Sequence, residues 1–244
     1  GSYDPINLPR DAEKIRAAYE LFSTEEERDF LLAALSAYHA HDVTRFPQPL
    51  PIEGQYLAAD VPEEMDYRRL IDCGAYDGDT LRSILGSGRE IEAYAALEPQ
   101  GDLCAGIQTY IAAQQGIHEA HILPLGASDR YEQLHFMEVS DGRSAAKADP
   151  TGTAVLPCAP LDAVLRGFAP TMIKMDIEGM EPRALRGARE LVQAYHPQLA
   201  ICVYHDISHL WEIPLQIREL YEGYRLYIRN YQFMGLETVV YAVP

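Results

Sequence analysis

Leu70-Ile71-Asp72-Cys73-Gly74-Ala75-Tyr76-Asp77-Gly78-Asp79-Thr80 is the stretch that decides the fold. A short apolar run closes on an acid, a loop with two glycines follows, and a Thr stands ready to open a helix. That order predicts a buried strand running into a tight turn whose backbone N–H groups face a ligand. The spacing is Gly-x-x-x-Gly, with Tyr76 where the dinucleotide pattern Gly-x-Gly-x-x-Gly needs its second glycine. Further on, Met172-Ile173-Lys174-Met175-Asp176-Ile177-Glu178-Gly179-Met180-Glu181-Pro182 forms a second landmark. Together the two place a nucleotide-like cofactor at the carboxyl ends of a parallel sheet.

Outward from that stretch the chain alternates strands and helices. The strand Arg68–Cys73 leads to a helix over Asp79–Leu85, and a second strand, Glu92–Leu97, closes on Glu98-Pro99. An Ala-rich helix follows from Gly101 to Gln115, then a third strand over His121–Leu125 that meets Gly126-Ala127-Ser128-Asp129. Gln133–Val139 reads as strand, and the polar run Ser140–Gly152 as a loop that is either mobile or folds over a ligand. Leu161–Arg166 is a short helix and Thr171–Asp176 the fourth strand. Pro182 then opens a helix whose apolar face is Leu185, Ala188, Leu191, Val192 and Tyr195, ended by His196-Pro197. A fifth strand (Leu199–Tyr204), a helix (Pro214–Tyr221) and a hairpin joining Tyr224–Tyr231 to Thr238–Val243 complete the pattern. This is α/β, the layout of a Rossmann-like class I methyltransferase sheet of seven strands with one antiparallel strand.

Ahead of it lie two helices. Ile15, Tyr19 and Phe22 mark the first; Leu31, Leu35 and Tyr38 mark the second, which Thr24-x-x-Glu27 opens as a capping box. Phe46-Pro47-Gln48-Pro49-Leu50-Pro51 interrupts everything and sets the domain boundary: a helical appendage with its linker over 1–50, and the sheet domain over 51–244.

Hydrophobic residues make up 48% of the 244 and charged ones 23%, enough apolar content for a sizeable core. With 37 acidic against 20 basic residues the formal charge is −17, which argues against nucleic acid or an anionic membrane as partner; its plain reading is solubility. Cys73, Cys104, Cys158 and Cys202 form no CxxC pair and read as reduced, buried thiols, so a cytoplasmic location is expected. No apolar run is long enough to span a bilayer and no signal-peptide pattern opens the chain. Gly1-Ser2 reads as an expression scar.

Charge indicates which cofactor. Asp72, Asp77 and Asp79 around the glycines would repel a pyrophosphate but suit S-adenosylmethionine, which carries a sulfonium and an ammonium. The competing reading is that these acids only cap the next helix, as Asp79 does well. Glu98, at a strand end, can take both ribose hydroxyls, a device NAD enzymes share; Pro99 sets the turn after it. Ser128-Asp129 sits where an adenine edge is read, or is a plain turn. Were the chain to stay extended, Lys174, Asp176 and Glu178 would share one face. A lysine in a buried strand calls for a partner, so Lys174 reads first as half of a structural ion pair. Asp176 and Glu178 are candidates to touch cofactor or acceptor. His205, closing the fifth strand, is the first choice for a general base, with Asp176 or Glu178 as the alternative catalytic base. His205, Asp206 and His209 are too loosely patterned to define a metal site, and a divalent cation such as magnesium on Asp176 or Glu178 has no pattern behind it.

These residues resemble the FkbM family of S-adenosylmethionine-dependent methyltransferases. The likeness runs over roughly residues 54 to 244 and rests on Ile71 to Thr80, Leu97-Glu98-Pro99, and most of all Ile173 to Pro182 with Leu185-Arg186-Gly187-Ala188. It implies a class I fold and O-methylation of a sugar or other secondary-metabolite hydroxyl, so a small-molecule or glycan acceptor. It also implies cofactor contacts from Gly74, Ala75, Tyr76, Gly78, Asp79 and Thr80 of the loop, and from Glu98, Asp129 and Asp176. Members often carry an acid two residues before the His ending the fifth strand; here Val203-Tyr204-His205 stands instead. Two rival readings are a methyltransferase-like module that binds without catalysis, and an NAD-dependent oxidoreductase, which Tyr76 disfavours. Nothing in the sequence reports an oligomeric state.

Overall fold

The computed structural model describes residues 4–136, 152 and 154–244. The loop expected from Ser140 and the end of the strand expected to reach Val139 lie outside them. Two helices come first, α1 (Ala12–Leu21) and α2 (Glu25–Ala40), and the capping box is present: Glu27 accepts from the Thr24 N–H at 3.1 Å while Thr24 covers the third helical position. No helix among the described residues is long and apolar enough to cross a membrane.

Residues 66–197 form one compact unit. Its strands and helices follow in order: β1 (Arg69–Cys73), α3 (Asp79–Gly86), β2 (Ala93–Leu97), α4 (Gly101–Ala112) and β3 (Glu119–Leu123). Then come β4 (Gly126–Ala127), β5 (Glu132–Phe136), β6 (Ala154–Ala159), α5 (Leu161–Val164), β7 (Met172–Met175), α6 (Glu181–Arg186) and α7 (Arg189–Tyr195). Parallel pairing sets the order β3-β2-β1-β7. The chain steps outward from β1 to β3 on one side and returns at β7 on the other, so β1 and β7 flank the switch point of an open α/β sheet. β2 and β7 are buried along their whole length, as strands covered on both faces must be. A separate three-stranded sheet, β4-β6-β5, was not legible in the sequence, because β4 is only two residues long.

The single helix expected after Pro182 is two. α6 ends at Gly187, where a Cβ would come within 2.0 Å of the Ser128 carbonyl oxygen. The Gly187 carbonyl accepts instead from Asp162 N–H, and the Asp162 carboxylate accepts from Glu190 and Leu191 N–H, capping α7 from outside. Tyr195, assigned to the apolar face, is exposed.

The second unit groups residues 1–65 with 198–244. It holds α1, α2, β8 (Gln198–Cys202), α8 (His209–Leu220), β9 (Arg225–Asn230) and β10 (Thr238–Val243). β10 runs antiparallel to both β8 and β9 and is the reversed strand of the seven-stranded sheet. The N-terminal segment takes up the free edge of β9: Ser23 N–H donates to Leu226 O at 3.0 Å and Leu50 N–H to Asn230 O at 2.8 Å. α8 begins at His209, ahead of the expected Pro214, because Asp206 accepts from the backbone and hydroxyl of Ser208 and starts the turn.

Candidate cofactor site

The loop after β1 alternates backbone hand. Gly74 (φ 77°), Tyr76 (φ 48°) and Gly78 (φ 85°) are all left-handed. At Gly74 glycine is compulsory twice over, since a Cβ would also stand 1.9 Å from the Asp176 carbonyl oxygen. This contact brings the loop after β1 against the loop after β7, at the switch point. Tyr76 holds a conformation costly for a non-glycine residue, and the residue is 43% exposed. Gly78 precedes α3, where Asp79 is exposed in the first turn and accepts from the Thr80 N–H at 2.7 Å. A carboxylate there suits the helix dipole. Ala75 and Thr80 are buried.

Glu98 fastens the loop. Its two carboxylate oxygens accept from Tyr76 N–H at 3.0 Å and Gln100 N–H at 2.9 Å, which ties the turns after β1 and β2 together. Burial raises its pKa, and those N–H donors oppose the rise. Pro99 lies exposed between the two tethered segments. Asp72 is wholly interior, so it does not supply the free negative charge expected beside the glycines. It stands opposite Lys174 in the β1–β7 register, 2.9 Å from the Nζ, and accepts from the Tyr94 hydroxyl at 2.9 Å. Burial first, and Asp72 next, push the Tyr94 phenol well up. Lys174 also donates to Gly74 O at 2.8 Å, so the lysine needing a partner serves the loop as well. Tyr94 carries no motif and was missed. Exposed negative charge near the loop remains at Asp77 and Asp79, the former 3.4 Å from Arg82.

Ser128 and Asp129 are engaged within the protein. The buried Ser128 hydroxyl donates to Glu132 at 2.5 Å. Asp129 is gripped by Arg183 (2.8 Å) and Arg186 (3.2 Å), and hydrogen bonds from Arg183 lower its carboxyl to about pKa 2. Arg183 binds Glu132 as well. The arginines stand at fixed spacing in the Glu181-Pro182-Arg183 and Leu185-Arg186-Gly187 motif, the one signal that could have found them.

The chain does not stay extended past β7, so Lys174, Asp176 and Glu178 do not share a face. Asp176 N–H donates to Cys73 O at 3.1 Å, and Glu178 turns left-handed at φ 56°. The buried Glu181 reaches back to accept from Ile177 N–H at 2.8 Å and closes that turn. Asp176 and Glu178 stay half-buried at the sheet end. In the other unit His205 follows β8, with its ring 4.1 Å from that of Tyr204. Sequence reading passed over Tyr38 of α2 as plain core; its half-buried phenol is pushed up by burial and then by the charge of Asp206.

The strand order, the reversed β10 and the glycine loop bound to the second strand's acid define a class I methyltransferase-like α/β fold. The family described as the Methyltransferase FkbM domain matches residues 72–233, and the chain belongs to it. A crystal structure of Methyltransferase FkbM from Methylobacillus flagellatus superposes with a TM-score of 0.80 at 22% identity, over 98% of this chain and 60% of that one. The present chain thus spans about 60% of that relative's length, and the likeness speaks for the fold. Aeropyrum pernix fibrillarin, in complex with natively bound S-adenosyl-L-methionine, matches at a TM-score of 0.43 and 10% identity, over 73% of this chain and 67% of its own, too distant to carry an argument. No curated protein matches the chain.

Proposed function

We propose that this protein is an S-adenosylmethionine-dependent methyltransferase acting on a hydroxyl oxygen of a sugar, glycan or secondary metabolite. One observation carries the cofactor reading: the Gly74–Gly78 loop is pressed onto the Asp176 carbonyl at the switch point and tethered there by Glu98. The donor set fits a cation, because Asp77 and Asp79 stay exposed and Asp176 half-exposed, while the one internal acid of the loop is neutralised by Lys174. When bound, S-adenosylmethionine supplies the methyl carbon that takes the acceptor oxygen's electron pair as its bond to sulfur breaks.

The chain's own residues bind and orient. Glu98 holds the turn that would line the ribose side, with each carboxylate oxygen keeping a further lone pair beyond its N–H partner. Asp176 and Glu178 flank the sheet end where the methionine part would lie. His205 is assigned as the base that takes the hydroxyl proton on an imidazole nitrogen, a role worth about 10²–10⁴-fold. Alignment of acceptor and methyl supplies the larger share, several kcal/mol.

Calorimetric titration with S-adenosylmethionine, S-adenosylhomocysteine and NADH, with and without magnesium, tests this. The first two should bind at micromolar Kd and NADH should not; a magnesium effect would bring in a cation at the carboxylates. Gly74→Ala should weaken that binding at least 100-fold, whereas Gly101→Ala, whose Cβ meets nothing within 4 Å, should leave it unchanged. Wild-type protein that binds neither sulfur ligand would sink the reading.

A further inference from the structure

Resting on that reading, we infer that the acceptor carries an apolar portion beside its hydroxyl, seated on the turn between β9 and β10. That turn stands at the carboxyl end of β8, from which the His205 loop also leaves. Cys202 pairs with Val239, and Val203 N–H donates to Thr238 O at 2.9 Å. The two segments therefore start side by side, at the end of the sheet where ligands bind in this fold class.

The turn is built to present apolar side chains. Phe233 is 66% exposed, Met234 51% and Leu236 38%, with no charged residue among 233–236. Its polar backbone is satisfied inward: Asn230 donates to Leu236 O at 2.7 Å, Thr238 to Gly235 O at 2.6 Å, and Leu236 N–H to Phe233 O at 3.3 Å. Gly235 lies on the Phe46 ring, where a Cβ would be 2.6 Å from the ring edge, and Phe46 meets Tyr38 edge-on at 5.1 Å. The turn is thus braced from beneath by the N-terminal segment, and Tyr38 in turn feels Asp206 beside His205. Leu50, 37% exposed, is held by its backbone at the end of β9, next to the turn.

Four partly exposed side chains offer roughly 300–400 Å² of apolar surface, well short of the ~800 Å² per partner of a stable dimer. A formal charge of −17 disfavours an anionic lipid surface. An apolar arm on a neutral acceptor fits both limits.

The test compares octyl β-D-glucoside, below its micelle concentration, with methyl β-D-glucoside. Each is titrated into the full chain saturated with S-adenosylhomocysteine. The octyl compound should bind at least 10-fold more tightly, and Phe233→Ser with Met234→Ser should remove most of that advantage while leaving the melting temperature and S-adenosylhomocysteine affinity unchanged. Equal affinity for both glucosides, or an octyl preference untouched by the double variant, overturns the inference. A wild-type dimer in sedimentation that the double variant dissolves overturns it too, because the patch would then be a self-interface. Lack of S-adenosylhomocysteine binding overturns the cofactor reading, and the glucoside contrast measured without it still reports on the patch.

Discussion

Two buried ion pairs, one in each unit, show how differently the halves of this molecule are put together. In residues 66–197, Asp72 meets Lys174 directly across adjacent strands, and the lysine continues to the Gly74 carbonyl. In the other unit, Arg229 of β9 meets Glu27 of α2 at 2.6 Å across 202 positions of sequence, and also binds Asp60. The first pair is a local consequence of strand register, and it positions the ligand loop. The second joins a helix cap to an edge strand: one Glu27 oxygen serves Thr24 while the other serves Arg229. Polar groups fully withdrawn from water must be paired, and the fold meets that demand by register in one unit and by long-range docking in the other.

Removing a cation from each pair should separate the two. Lys174→Met leaves the wholly interior Asp72 without its cation, so it should cost about 3–5 kcal/mol in urea unfolding. It should also weaken S-adenosylhomocysteine binding, since Gly74 O loses its donor. Arg229→Met should cost less, about 2–3 kcal/mol, because Asp60 is partly solvated and Glu27 keeps its capping bonds. It should leave the affinity for S-adenosylhomocysteine intact. A larger loss for Arg229→Met, or an effect of it on that affinity, would break the contrast drawn here.

Asp129 sharpens the picture with a smaller effect that depends on pH. Its folded pKa, about 2, lies below the ordinary carboxylate value. Its contribution is therefore fully present above the unfolded value near ~3.9 and is lost as pH falls from there through about 2. Asp129→Asn should lower the melting temperature modestly at neutral pH and flatten its fall in that acid window. A wild-type slope retained in the variant would mean that other carboxylates dominate.

Much of the cofactor half was legible because its signals are local. Gly74 and Gly78 announce left-handed backbone and Lys174 in an apolar strand announces a partner; each demand is met within a turn or a neighbouring strand. The break at Gly187 was not legible, because Asp162, which caps the second helix, lies far off in sequence. The engagement of Asp129 by Arg183 and Arg186 was hidden for the same reason: a carboxylate after a strand looks alike whether it faces a ligand or an arginine.

By itself, then, the sequence determined the alternation of strands and helices, the glycine loop, the acid ending the second strand and the family, all of which depend on residue type at short spacing. Tertiary structure alone decided which acids stay exposed and which are buried, that Glu27 and Arg229 are one unit, and that Phe233 and Met234 stand exposed at the sheet end. Those outcomes depend on which groups lose water together, and that is settled only when distant segments pack.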